Sequence, residues 1–203
     1  MKGLLLKDLY TLGKQMKIFL VLLVAFALIP GYSMSAFAVM YAAMLPMTAL
    51  AYDERSKWDT LAAMMPYSTG ALVLSKYLLG YFLAFCAALI ALAAQVALSL
   101  FQHTSVDLDA LVALLAVLCS AYLLLAINMP LLFKLGVERG RLAFLILTVV
   151  TVLTVIAGAD KLLNLRVPNA TFLWIAGGCL VCIVIVNALS VLLSIKFYRT
   201  RLN

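Results

Sequence analysis

The sequence predicts an all-α membrane protein, with six transmembrane helices, an amino-terminal helix in the membrane interface and a short cytosolic helix between spans 2 and 3. Three observations predict it. Of the 203 residues, 67% are apolar and 11% charged, where a soluble domain carries roughly half and about a quarter. The charges bound five long uncharged windows, Ile18 to Tyr52, Tyr77 to Val106, Ala110 to Phe133, Leu142 to Ala159 and Val167 to Ile195. The lysines and arginines collect on one side of the path that these windows trace. A soluble globular enzyme, a disordered chain and a collagen-like chain are excluded.

The first 17 residues precede any long apolar run. Within them Leu5, Leu9, Leu12 and Met16 recur at helical spacing, opposed by Lys7, Thr11, Lys14 and Gln15. This suits an interfacial helix over residues 3–16; the alternative is an extension of the first span with Lys14 and Lys17 snorkelling. A spanning helix needs about 20 apolar residues, so four windows hold one helix each. The first window is long enough for two short or tilted helices, and Pro30-Gly31 breaks it near the middle. The predicted spans are residues 17–30, 33–52, 72–101, 110–133, 142–159 and 171–195 of one domain covering 1–203.

Charge tests this count, because Lys and Arg accumulate in short cytoplasmic loops. Six spans with both termini inside leave only Lys161 and Arg166 outside, against thirteen basic residues within. Five spans divide them almost evenly. The net charge of +7 is then an orientation signal, with anionic lipids of the cytoplasmic leaflet as its partner. Nucleic acid is not required.

Pro46 in span 2 and Pro130 in span 4 each lack a backbone donor, which leaves the carbonyls of Ala42 and Ala126 without their helical partners. Ala84, Ala88 and Ala91 form a small-residue ridge on span 3, and Thr148, Thr151 and Thr154 share a face of span 5. Gln95, Asn128 and Asn187 are costly at membrane depth, so they and the three threonines are candidate polar residues of the bundle interior. Helix-to-helix hydrogen bonding is the leading reading for all six.

Catalytic chemistry finds little support. Cys86, Cys119, Cys179 and Cys182 lie in apolar runs, and the Cys-x-x-Cys of the last two has no second pair to complete a zinc set. His103 is the lone histidine, in an outer loop. No phosphate-binding G-x-x-x-x-G-K-[ST] loop occurs. No Asp, Glu or His falls within a predicted span, which disfavours intramembrane hydrolysis and a carboxylate proton relay.

The informative segment is the inner loop at residues 53–70. Asp53 and Glu54 open it, and Trp58, Leu61, Ala62 and Met65 fall at i, i+3, i+4 and i+7, a short amphipathic helix with an exposed Trp. Pro66 stops that helix and Ser68 is placed to cap the next. Such a helix lies on the membrane or docks into a groove on a partner. A second inner loop, Lys134 to Arg141, contains Gly136-x-x-x-Gly140 but is too charged and short to be a dimerising span.

On these residues the chain resembles the small ABC-2 type permeases of bacterial ABC transporters. The resemblance rests on Met1 to Tyr10, Tyr52-Asp53-Glu54-Arg55-Ser56-Lys57-Trp58-Asp59, Pro66-Tyr67-Ser68 leading to Val73-Leu74-Ser75-Lys76-Tyr77, Phe133 to Arg141, and the basic Phe197-Tyr198-Arg199. It implies a subunit of the bacterial cytoplasmic membrane that pairs with a second copy or a paralogue and exports a substrate. Two separate ATPase subunits would hold the ATP and Mg, with no cofactor on this chain. It also implies that the loop after span 2 is a coupling helix seated in the ATPase, its interface formed by Asp53, Glu54, Arg55, Lys57, Trp58, Asp59, Leu61, Ala62, Met65 and Pro66. The chain departs at Thr69-Gly70-Ala71, where relatives carry charge and where no Glu or Gln completes a capping box. An interior of Thr, Asn, Gln, Met and aromatic residues suits an amphipathic or apolar cargo such as a peptide, antibiotic or lipid-like molecule. Two other classes fit the length: a membrane-embedded substrate-binding subunit of an uptake system, and a membrane interaction protein that transports nothing.

Overall fold

The computed structural model describes residues 2–15, 17, 21–22, 25–26, 32–101, 108–163 and 169–202. Span 17–30 therefore lies mostly outside the described residues. So do the side chains of Asp59, Thr148, Thr151 and Thr154.

Every element among the described residues is helical: α1 (Lys2–Gln15), α2 (Tyr32–Arg55), α3 (Trp58–Ala63), α4 (Thr69–Phe101), α5 (Leu108–Leu163) and α6 (Asn169–Leu202). Among the described residues, three segments are long and apolar enough to cross a membrane, Thr69–Phe101, Leu111–Val137 and Leu180–Thr200. They overlap the segments 72–101, 110–133 and 171–195 expected from the sequence. The expected segment 33–52 falls within α2 and 142–159 within the last part of α5, and neither is among the three.

The core forms around α2, which packs chiefly on α4 and α5. Ala38, Val39, Ala42, Leu45 and Ala49 are buried along it. The alanine ridge of α4 is fully packed, and Ala87 and Gly80 extend it. At Gly80 a Cβ would come within 2.9 Å of Pro46 Cγ and 3.0 Å of Leu125 Cδ2. Hydrogen is the only substituent that lets α2 and α5 approach α4 this closely, so Pro46 is a packing surface here.

Between Lys134 and Arg141 the structure differs from the expected loop. The helix continues on both sides of one break, Gly136, whose φ of 78° and ψ of 169° suit only glycine. Gly140 then lies against Leu132, so the two glycines of the G-x-x-x-G have separate tasks, one reversing the backbone and one admitting the returning arm.

The orphaned carbonyl behind Pro130 has a partner. Ser190 of α6 donates its hydroxyl to the carbonyl of Ala126, and Tyr77 of α4 bonds both Ser190 Oγ at 2.6 Å and Ser194 Oγ at 2.7 Å. Nearby, Tyr81 donates to Asn187 Oδ1 at 2.5 Å while Asn187 Nδ2 returns to the Ile183 carbonyl. Asn128 is buried and Gln95 half-buried.

The buried face of α1 is the expected one only in part, for Leu12 is buried and Leu5 packs against the core. Leu4, Asp8 and Leu12 point into the bundle, whereas Leu9 is exposed. An acid sits in the middle of the packed stripe because basic partners meet it there.

Candidate functional site

The middle of α1, the carboxyl end of α2 and the first turns of α4 converge on four charges. Lys7 Nζ lies 2.6 Å from Asp53 Oδ1 and 3.1 Å from Asp8 Oδ1. Lys76 Nζ lies 2.7 Å from the same Asp8 oxygen and 2.5 Å from Asp53 Oδ2. The four form a closed ring in which each cation touches both anions and the net charge is zero. Lys76 and Asp8 are only 7% and 2% exposed at their side chains. Burial makes each charge depend on the others, since removing one leaves an uncompensated charge away from water. Leu50, Leu72, Phe133 and Tyr198 close the surroundings, and a cavity of about 20 Å³ beside the ring has room for one water.

The ring is attached to the segment after α2. The expected short helix over residues 53–65 is divided in the structure: Asp53, Glu54 and Arg55 finish α2, and the separate α3 begins at Trp58. Carboxylates at a helix carboxyl end oppose its dipole. Here Asp53 is compensated by Lys7 and Lys76. Glu54 Oε2 accepts the N–H of Val137 at 3.2 Å, a donor at the start of the α5 arm beyond Gly136. Lys57 makes the reversal in the left-handed region, with φ 52°.

Beyond the reversal, Lys7 Nζ stands 4.2 Å from the centre of the Trp58 ring, a cation–π contact. Ala62 is buried, while Leu61, Met64, Met65 and Tyr67 are exposed and Pro66 lies in the following turn. The stripe expected on one face is thus divided: Trp58 and Ala62 anchor the segment, and Leu61 and Met65 look outward. Ser68 accepts the N–H of Ala71 at 3.2 Å and caps α4 without a capping box.

Over residues 3–199 the sequence matches the family described as ABC-2 family transporter protein. The chain belongs to that family. No curated protein and no solved structure is similar enough to the chain to count as a match. As an ABC-2 protein it is a membrane component of a transporter and not itself the catalytic subunit, in a family whose members work with ABC ATPases. Its apolar helices are those of a multi-pass membrane protein.

Sequence reasoning missed Lys7, Asp8 and Lys76. One signal was present: Asp8 occupies the i+4 position between Leu4 and Leu12, and an acid centred in an apolar stripe requires a buried cation.

Proposed function

We propose that the ABC-2 protein is the permease subunit of an ATP-driven exporter in the bacterial cytoplasmic membrane. Six spans place both termini in the cytosol. Two bundles, identical or paralogous, form the path for an amphipathic or apolar substrate, and residues 53–70 receive movement from separate ATPase subunits that hold ATP and Mg. The supporting observation is the two-sided segment after α2. Its inner side is tied to three helices through Trp58, Lys7 and the charge ring, and its outer side presents Leu61, Met64, Met65 and Tyr67. An exposed apolar tip marks a docking surface, and a tip fixed to helix ends transmits rigid-body movement instead of absorbing it.

The test is co-purification with the ABC ATPase co-expressed with it, together with the ATP hydrolysis of the complex. The paired substitution Leu61→Glu and Met64→Glu should abolish association while leaving membrane insertion intact. Full retention of the ATPase would refute the docking surface. Exclusive labelling of a Ser56→Cys chain from outside the cell would refute the topology.

A further inference from the structure

We propose that the cleft between α1 and the end of α2 holds the headgroup of an anionic phospholipid of the inner leaflet, with its acyl chains along the exposed side of α1. The cleft has a volume of about 460 Å³ and is lined by Lys7 and Thr11 of α1, Tyr52, Asp53 and Arg55 of α2, and Ser56 and Trp58 beyond it. The charges that line it do not cancel, since Lys7 and Arg55 stand against Asp53 alone and Glu54 is not part of the lining. Lys7 and Lys76 balance Asp8 and Asp53 within the ring, and Glu54 turns to Val137. The exposed Arg55 therefore gives the cleft its positive sign. The hydroxyls of Thr11 and Ser56 already bond backbone carbonyls, which leaves the Arg55 guanidinium as the principal donor for a phosphate. Tyr52 and Trp58 are the aromatic types that favour the headgroup level.

The α1 helix commits this cleft to a lipid and not to a free anion. Advancing about 100° per residue, it carries three stripes. Leu4, Asp8 and Leu12 are buried in the bundle. Lys7 and Thr11 border the cleft. Leu6 and Tyr10, 56% and 64% exposed, stand beside that polar stripe, with Leu9 flanking them. A cationic cleft continuous with an uncovered apolar stripe matches a molecule with an anionic head and hydrocarbon tails.

The experiment uses the full chain carrying Trp174→Phe, so that Trp58 is the only tryptophan, in phosphatidylcholine bilayers doped with brominated phosphatidylglycerol or brominated phosphatidylcholine. Trp58 emission should be quenched preferentially by phosphatidylglycerol. Arg55→Gln should reduce the preference by about fivefold, Arg55→Lys should keep most of it, and Lys134→Gln should leave it unchanged. High salt should erase the preference in the chain with Arg55 intact, a readout independent of whether the Arg55 variants fold. Equal quenching by the two lipids, a preference indifferent to salt, or an undiminished preference in a folded Arg55→Gln chain overturns the site. Loss of the preference on adding soluble glycerol phosphate would identify a free-anion site and overturn the lipid assignment. Efficient cross-linking between copies through Tyr10→Cys would show the stripe covered by a second chain, with the same consequence. None of these outcomes depends on ATPase association.

Discussion

Ser190 donates its hydroxyl to the carbonyl of Ala126, an acceptor that exists because Pro130 has no N–H to offer it. Two residues 64 positions apart are joined by a deficit written into a third. The proton directions in the chain beyond it follow from counting. A carbonyl only accepts, so the Ser190 proton is spent on Ala126; Tyr77 must then donate to Ser190, and Ser194 must donate to Tyr77. The run from Ser194 to Ala126 is one-directional and links α4, α5 and α6.

Ser190→Ala should therefore cost more than Tyr77→Phe or Ser194→Ala, because it strips both a buried acceptor and the acceptor of the Tyr77 proton. The expected loss is about 1–3 kcal/mol, whereas a single interhelical bond in a membrane averages about 0.6 kcal/mol. Pro130→Ala would restore an N–H for Ala126, so in that background the Ser190→Ala loss should shrink by about 0.5 kcal/mol or more. Denaturant unfolding in bicelles measures the cycle; strict additivity would show that the carbonyl does not need Ser190.

Lys76→Met should destabilise the fold by about 3–5 kcal/mol, since it leaves the ring with a net buried negative charge. Adding Asp8→Asn to it restores neutrality and should recover most of the loss. The same unfolding assay decides this, and a double variant as unstable as the single one would mean that charge balance is not what the ring supplies.

Gly80→Ala should cost about 1–3 kcal/mol by forcing Pro46 and Leu125 apart. Gly13→Ala is the control: its Cβ would meet nothing within 4 Å, and the exchange should stabilise α1 by roughly 0.5–1 kcal/mol. Melting temperatures of the two variants should move in opposite directions.

Lys57→Gly should raise stability by up to about 1 kcal/mol, because a left-handed backbone strains any residue with a Cβ. A fall in the unfolding midpoint would show that the lysine side chain contributes more than its backbone strain removes.

Local rules in the sequence determined much of this protein. Uncharged windows located α2, α4, α5 and α6, because burying a charge in hydrocarbon is costly wherever it occurs. Pro130 announced a carbonyl in need of a donor, and Ser68 announced the start of α4, since both depend on main-chain groups within a few residues. The tertiary structure alone decided that the donor is Ser190, that Asp8 and Asp53 share Lys7 and Lys76, that α1 buries Leu4 and Asp8 while exposing Leu9, and that the segment after α2 is divided at Lys57. Those outcomes are fixed by the rotation and crossing of helices distant in sequence. Hydrophobic periodicity states how much surface a helix must bury; it does not state against which neighbour.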